Sequence, residues 1–231
     1  MNVAIITAGG IGTRMKLGIP KQFYVVNKKP LIQYTLDVFE KSESIDLICL
    51  VYLEGYREYF ENLIRNNSYK KIKVLVPGGS TNQLSIFEGL KGLMGLVSNN
   101  DVIIVHDGIR PLVDENVIRE SVSVCKKYGN AVAVIPSNEA MLYSNDSDSS
   151  TTSLDRSKVW KTQTPHAMHY SDMVDLLKAT IAKGVTDSVA VCTMLIENGK
   201  TVHFSKGNSL NFKLTTQEDI VLFKAVLQSK K

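Results

Sequence analysis

The sequence lacks the features that mark membrane, secreted and nucleic-acid-binding proteins. No apolar run approaches the roughly 20 residues that span a bilayer, and the first residues show no basic segment followed by an apolar stretch and a cleavage site. Lysines are scattered, and the formal net charge is only +4. A basic stripe for nucleic acid would need clustered lysines and arginines. We therefore expect a cytoplasmic protein that binds neither a membrane nor a nucleic acid.

Cysteine is scarce as well. Cys49, Cys125 and Cys192 are odd in number, lie far apart, and are embedded in apolar runs. This spacing indicates neither a disulfide framework nor a zinc site. We expect all three to be reduced residues of the core.

Two common phosphate-binding motifs are absent from a turn that could have held either. The stretch AGGIGTRM follows the first apolar run, but Met15 stands where a dinucleotide fingerprint needs its third glycine. A P-loop would need Gly-Lys-Ser/Thr, which is missing. What remains is a glycine loop followed by two cations, Arg14 and Lys21. Such a loop lets backbone N–H groups approach phosphate oxygens, which is typical of phosphoryl or nucleotidyl transfer.

Apolar runs and helical patterns alternate along the chain. The runs are continuous, which is typical of strands buried on both faces of a parallel sheet. Alternation of strands and helices predicts a single doubly wound α/β domain over 1–231, with ligands beyond the carboxyl ends of the strands. The predicted strands are 3–7, 47–53, 72–77, 101–107 and 131–136, and the predicted helices are 30–42, 83–97, 114–129, about 170–183 and about 187–197.

The rest of the chain adds a short strand, TVHFS, and a last helix. A capping box over Thr215 to Glu218 should introduce that helix. Residues 137–158 interrupt the alternation, because they are polar and centre on NDSDSSTTS. Composition alone leaves two alternatives for this segment, a disordered surface loop or a long β-hairpin arm that projects from the sheet.

Six motifs in order give the chain a resemblance over essentially its whole length. AGGIGTRM with IPKQ resembles the signature of nucleotidyltransferases that activate sugar and polyol phosphates. The series as a whole resembles the cytidylyltransferases acting on 2-C-methyl-D-erythritol 4-phosphate and their relatives acting on D-ribitol 5-phosphate. The resemblance implies a mostly parallel, Rossmann-like nucleotidyltransferase sheet with a projecting β-arm over 137–158. The other motifs are GGSTNQLSI (78–86), VHDGIRP (105–111), LDRSKVWKTQTP (154–165), TDS (186–188) and NFKLTTQED (211–219).

The resemblance also implies a reaction and its residues. The acceptor's phosphate would attack the α-phosphorus of CTP, and pyrophosphate would leave. Arg14, Lys21 and Lys213 would stabilise the transition state, and Asp107 would hold Mg²⁺. The residues implied in CTP binding are Ala8, Gly9, Gly10, Gly12, Gly79, Ser80 and Ser85, and those implied in acceptor binding are Arg110, Glu139, Arg156, Thr164 and Asp187. The arm would swap across a homodimer and bring acceptor-binding residues to the partner's site.

Three departures from the family pattern affect the acceptor half. Asn82 stands where an arginine is usual, and Glu139 stands where a threonine is usual. A carboxylate repels a phosphate, so either Glu139 points away and pairs with Arg156, or the acceptor is presented differently. His166 replaces a glutamine, and we expect it on the surface.

The acceptor stays open at this stage. The later motifs resemble the 2-C-methyl-D-erythritol 4-phosphate branch, and because they contact that end of the site we expect this acceptor first. AGGIGTRM resembles the D-ribitol 5-phosphate branch, which is the alternative, and another polyol phosphate for a surface polymer is a third. A non-catalytic nucleotide-binding subunit is the alternative from a different class.

Overall fold

The fold is described from a computed structural model, which covers residues 1–10 and 19–229. The helices are α1 (Leu31–Lys41), α2 (Arg57–Asn67), α3 (Asn82–Gly92), α4 (Glu115–Tyr128), α5 (Tyr170–Ala182), α6 (Val191–Glu197) and α7 (Gln217–Ser229). The strands are β1 (Asn2–Ala8), β2 (Val25–Val26), β3 (Lys29–Pro30), β4 (Leu47–Tyr52), β5 (Ile72–Pro77), β6 (Val102–Asp107), β7 (Asn130–Pro136), β8 (Met141–Tyr143), β9 (Thr152–Leu154), β10 (Trp160–His169) and β11 (Phe204–Lys206).

Seven strands form the central sheet, in the order β11-β7-β10-β6-β1-β4-β5. Strand β10 runs antiparallel to both of its neighbours, β6 and β7, and the other neighbouring pairs are parallel. The predicted doubly wound, mostly parallel α/β sheet is confirmed. Sequence patterns missed β10 because its first residues, WKTQ, are polar. They also missed α2, which buries only Phe60.

Both faces of the sheet are covered, which explains the continuous apolar runs. In β1, Val3 and Ile5 pack in a cluster with residues of α3, α5 and α6. Their neighbours Ala4 and Ile6 point to the opposite face, where α1, α2 and α4 pack. Successive side chains of a strand point to opposite faces, so a strand between two helical layers needs apolar residues at every position.

The last helix is capped one residue later than the sequence indicated. Thr216 Oγ1 accepts a hydrogen bond from the backbone N–H of Asp219, at 3.4 Å. The Asp219 carboxylate accepts in return from the backbone N–H groups of Thr216 (2.8 Å) and Thr215 (2.7 Å). The box predicted over Thr215 and Glu218 is therefore made by Thr216 and Asp219. Helix α7 then packs against buried Leu214 and anchors the segment that precedes it.

The segment predicted as an arm contains an antiparallel hairpin. Strands β8 and β9 pair Met141 with Leu154 and Tyr143 with Thr152. All residues from 142 to 158 are exposed, so the hairpin projects from the body of the domain. The chain then passes through a 3₁₀ turn, Arg156–Lys158, and enters β10. In the part of the chain that the structure describes, no helix combines the length and apolar character needed to cross a bilayer.

Candidate active site

Two glycine loops meet at the carboxyl ends of β1 and β5. A Cβ atom added to Gly78 would lie 2.9 Å from Ser85 Oγ, and one added to Gly79 would lie 2.6 Å from Leu84 Cβ. Ser85 Oγ donates to the carbonyl oxygen of Gly79 at 3.3 Å. Side chains at 78 and 79 would therefore force the loop away from the first turn of α3. Glycine keeps the two in contact and leaves the loop backbone open to the adjacent cavity.

The larger cavity, of about 700 Å³, spans the ends of β1, β4, β5 and β6. All of the residues predicted to bind CTP that the structure describes line this cavity: Ala8, Gly9, Gly10, Gly79, Ser80 and Ser85. Lys21 lines it too, and its turn is fixed because Gln22 Nε2 donates to the Ala8 carbonyl at 2.9 Å. Gly12 and Arg14 lie outside the described residues.

Asp107, at the end of β6, is held by two cations. Its Oδ2 accepts from Arg110 Nε at 2.9 Å, and its Oδ1 accepts from Lys213 Nζ at 3.0 Å. The Asp107 side chain is only 10% exposed. Burial by itself would raise the pKa of this carboxyl, but Lys213 and Arg110 together bring the pKa well below its usual range. The carboxylate is therefore ionised, and its charge is balanced inside the site.

A hydrogen-bond chain behind Asp107 fixes the tautomer of a buried histidine. The Asp107 backbone N–H donates to Thr164 Oγ1 (3.1 Å), and Thr164 Oγ1 lies 3.0 Å from His106 Nδ1. Because the Arg110 carbonyl that faces Nε2 can only accept, the ring hydrogen belongs on Nε2, and the Thr164 hydroxyl donates to Nδ1. His106 Nε2 then carries the ring hydrogen and faces the Arg110 carbonyl at 3.4 Å. Burial lowers the pKa of His106 to about 3, so the ring is neutral.

A smaller cavity, of about 160 Å³, opens beside Asp107. Arg110 and Thr164, both predicted to bind the acceptor, line it. The residues that line both cavities are Thr7, Asn82, Asp107, Val189 and Lys213. A group bound in one cavity would thus meet a group bound in the other next to the Asp107 carboxylate and the Lys213 ammonium.

Three residues predicted to bind the acceptor line neither of the two cavities. Glu139 and Arg156 are exposed at the base of the arm, and Asp187 is exposed on the loop before α6. Glu139 Oε1 lies 3.7 Å from Lys161 Nζ, so its cationic neighbour is Lys161 and not the expected Arg156. Within one chain, the acceptor residues thus divide into a pair in the smaller cavity and three outside it.

The expectation that His166 lies on the surface is wrong. Its residue is 4% exposed, it pairs with Val105 across β10 and β6, and it lines the smaller cavity. Burial lowers the pKa of His166 to about 4, so it is neutral like His106. The apolar Ala167 and Met168 that follow were the available signal of a buried strand.

Sequence patterns also missed a supporting asparagine. Asn211 is fully buried, and its Nδ2 donates to the Thr164 carbonyl at 2.7 Å. The backbone carbonyl of Asn211 accepts from Arg110 Nη1 at 2.9 Å. Asn211 therefore ties together the strand that carries Thr164 and the guanidinium that holds Asp107. In the sequence, its place two residues before Lys213 in the motif NFKLTTQED was the available signal.

Asp107 is the described residue whose carboxylate could hold a metal ion beside both cavities. Over residues 1–10 and 19–229, no group of three or more His, Cys, Asp or Glu side chains could hold a metal ion. Mg²⁺ commonly binds through one or two carboxylates together with substrate phosphates and water. The carboxylate of Asp107, which lines both cavities, could serve as a ligand of that kind.

Comparisons with known proteins agree with this architecture. The family described as 2-C-methyl-D-erythritol 4-phosphate cytidylyltransferase matches residues 2–229. A ribitol-5-phosphate cytidylyltransferase of Lacticaseibacillus paracasei is 38% identical, covering 100% of this chain and 99% of the relative. A 2-C-methyl-D-erythritol 4-phosphate cytidylyltransferase of Clostridium acetobutylicum is 33% identical, covering 99% and 98%. The crystal structure of 4-diphosphocytidyl-2C-methyl-D-erythritol synthase from Anaerococcus prevotii superposes with a TM-score of 0.84 at 25% identity, covering 99% of this chain and 98% of that one.

The hydrogen-bond chain through Thr164 gives a stability prediction. Thr164→Val keeps the shape of the side chain but removes the hydroxyl, which leaves the Asp107 N–H and His106 Nδ1 without their partner. We expect the free energy of unfolding to fall by about 1–3 kcal/mol, measured by urea denaturation. Thr152→Val, on the exposed strand β9, is the matched control and should change it by less than about 0.5 kcal/mol. Equal stability of the two variants would contradict the hydrogen-bond chain.

Proposed function

The chain belongs to the 2-C-methyl-D-erythritol 4-phosphate cytidylyltransferase family and is a nucleotidyltransferase, and we propose that it joins CMP from CTP to the phosphate of a polyol phosphate. One observation carries the proposal. Asp107, paired with Arg110 and Lys213, lies where a large cavity and a small cavity meet. The volume of the large cavity is in the range of nucleotide-sized ligands.

The proposed reaction needs no general base. A phosphate monoester is ionised at neutral pH, so an oxygen of the acceptor phosphate can attack the α-phosphorus of CTP directly. A bond forms between that oxygen and the α-phosphorus, the bond from the α-phosphorus to the bridging oxygen of the β-phosphate breaks, and pyrophosphate leaves. The main barrier is the approach of two anions and the charge on the five-coordinate transition state.

The residues of this chain would lower that barrier by charge and position. Lys21 lines the large cavity, and Lys213 lines both, so their ammonium groups can face the reacting phosphates. Arg110 would hold the acceptor phosphate in the small cavity while it keeps Asp107 in place. Asp107 would hold Mg²⁺, which supplies neutralising charge to the phosphates when it is bound. Backbone N–H groups of the two glycine loops would bind the triphosphate and the base.

For the acceptor we propose D-ribitol 5-phosphate. The ribitol-5-phosphate enzyme is the more similar of the two curated relatives described above. 2-C-methyl-D-erythritol 4-phosphate is the second candidate, because the matching family is described by that substrate and the motif around Arg156 resembles that branch. Both acceptors are acyclic polyol phosphates. Ribitol has an unbranched chain of five carbons and 2-C-methyl-D-erythritol has a chain of four carbons with a methyl branch, so the small cavity and the arm would have to recognise that difference.

We also propose a homodimer formed through the arm. Leu142 and Tyr143 on β8 and Leu154 on β9 are 67%, 56% and 38% exposed, which is unusual for three apolar side chains of one small hairpin. Contact with a second copy would bury them and would bring Glu139 and Arg156 of one chain towards the site of the other.

The three buried free thiols fit a cytoplasmic location.

Pyrophosphate release tests the function directly. The protein is incubated with CTP, Mg²⁺ and one acceptor at a time, either D-ribitol 5-phosphate, 2-C-methyl-D-erythritol 4-phosphate or another polyol phosphate. We expect release with CTP and D-ribitol 5-phosphate, and slower release when UTP replaces CTP. Release with 2-C-methyl-D-erythritol 4-phosphate alone would support the second candidate. CTP binding without release from any acceptor would contradict the proposed function.

The charge of Lys21 should matter more than the charge of an ordinary lysine. We expect Lys21→Ala to lower kcat by a factor of about 10² or more, because a cation near the transferred phosphoryl group is lost. Lys73→Ala, on the exposed side of the edge strand β5, is the matched control and should keep the wild-type rate. A folded Lys21→Ala protein with near-wild-type kcat would remove Lys21 from this role.

Sedimentation tests the arm. The wild-type protein should sediment as a particle of twice the 25.6 kDa of one chain. Leu142→Asp should shift it towards the monomer, because a carboxylate is costly to bury in an apolar contact. Leu222→Asp is the control, since Leu222 is similarly exposed, at 56%, but lies on α7. A wild-type monomer at micromolar concentration would argue against the arm-mediated dimer.

A further inference from the structure

Gln83, in the first turn of α3, is a buried polar side chain that bonds to a distant loop. The residue is 0% exposed. Its Nε2 donates to the Val185 carbonyl at 2.8 Å, and its Oε1 accepts from the backbone N–H of Ser188 at 2.8 Å. The NH2 group and the oxygen of one side-chain amide thus both form hydrogen bonds with residues 184–190, called here the wall loop.

This double contact fixes the wall loop at two points three residues apart. A buried amide that loses its partners is unfavourable, so the loop position that satisfies both ends is preferred. Thr81, next to the same helix start, adds a third bond from its Oγ1 to the Thr186 carbonyl, at 2.5 Å. The start of α3 and the wall loop therefore form one hydrogen-bonded unit, although about 105 residues separate them in sequence.

The wall loop in turn bounds the cavity proposed for the acceptor. Val189 lines both cavities, and Ala190 lines the smaller one, together with Val191 of α6. Val189 is 87% exposed, so burial of its own side chain contributes little to where it lies. The backbone bonds of the neighbouring residues to Gln83 and Thr81 hold it at the mouth of the site instead.

We propose that Gln83 is a positioning residue for the acceptor, and this proposal rests on the proposed function. Gln83 lines neither of the two cavities itself. It acts by holding Val189 and Ala190 where they bound the space for the polyol. Loss of the two hydrogen bonds made by the Gln83 amide should widen the small cavity or make its shape less defined. The glycine loops on the nucleotide side should stay unchanged.

Steady-state kinetics of Gln83→Met tests the proposal. Methionine has a similar length but donates and accepts no comparable hydrogen bond. We expect KM for the acceptor to rise about tenfold or more, since small misplacements in a site have effects of this size. KM for CTP should stay within about threefold, because Val189 is the one wall-loop residue that lines the larger cavity and the glycine loops there keep their own contacts. Gln33→Met, a glutamine on α1 remote from both cavities, is the matched control and should leave both KM values unchanged.

Hydrogen exchange gives a readout that is independent of activity. In the wild-type protein, the Ser188 amide should exchange much more slowly than the amides of the exposed arm turn, 144–151. In Gln83→Met that protection should be lost, while the amides of the central strands keep theirs. The wild-type measurement stands even where the variant fails to fold.

Two results would overturn the proposal. One is a Ser188 amide in the wild-type protein that exchanges as fast as the arm turn. The other is a Gln83→Met protein with a lower unfolding midpoint but wild-type KM for the acceptor, which would make Gln83 a structural residue only. Failure of the proposed function looks different, because the wild-type protein would then release no pyrophosphate with any acceptor while the exchange pattern stayed as expected.

Discussion

A buried carboxylate between two cations determines where distant parts of this chain meet. Asp107 is the last residue of the central strand β6, and Arg110 lies in the turn that follows. Lys213 lies 106 residues after Asp107 in the sequence. An unpaired carboxylate buried to this extent would be costly, so Asp107 depends on its two cations. Asn211 reinforces the arrangement, since it holds the Arg110 guanidinium on one side and the Thr164 carbonyl on the other. The packing of α7 against Leu214 then fixes the segment that supplies the lysine.

Local sequence patterns predicted most of the sheet because they reflect its burial. A strand between two helical layers needs apolar residues on both faces, as in residues 3–6 of β1, 47–52 of β4 and 102–105 of β6. The same reasoning failed for β10, whose first half is mostly polar and lines the smaller cavity through Thr162, Gln163 and Thr164. Its place between β6 and β7 is a property of tertiary pairing that no local pattern encodes. His166 was misjudged for that reason, because its burial comes from the strands on either side.

The half of the site proposed for the nucleotide was more accessible to sequence reasoning than the half proposed for the acceptor. Glycine loops after strands have a local physical reason, which is the close approach of backbone to helix, and Gly79 and Ser85 meet as that reason requires. The acceptor half depends on side chains that act across the fold. In the sequence, Gln83 looks like an ordinary surface glutamine at the start of a helix. Only its contacts with Val185 and Ser188 show that it bonds to a distant loop. Glu139 is exposed at the base of the arm, where its cationic neighbour is Lys161.

The antiparallel direction of β10 links two regions that would otherwise be mechanically separate. The same continuous strand leaves the exposed hairpin at Trp160, pairs with β7, carries Thr164 to Asp107, and ends beside β6. A displacement of the hairpin would thus reach the threonine through the short turn Arg156–Lys158 and then along one strand. The tip at 144–151, in contrast, lies beyond the paired residues of the hairpin. Evolution can therefore lengthen or shorten that tip freely, whereas an insertion between Trp160 and Thr164 would shift the register of the site itself.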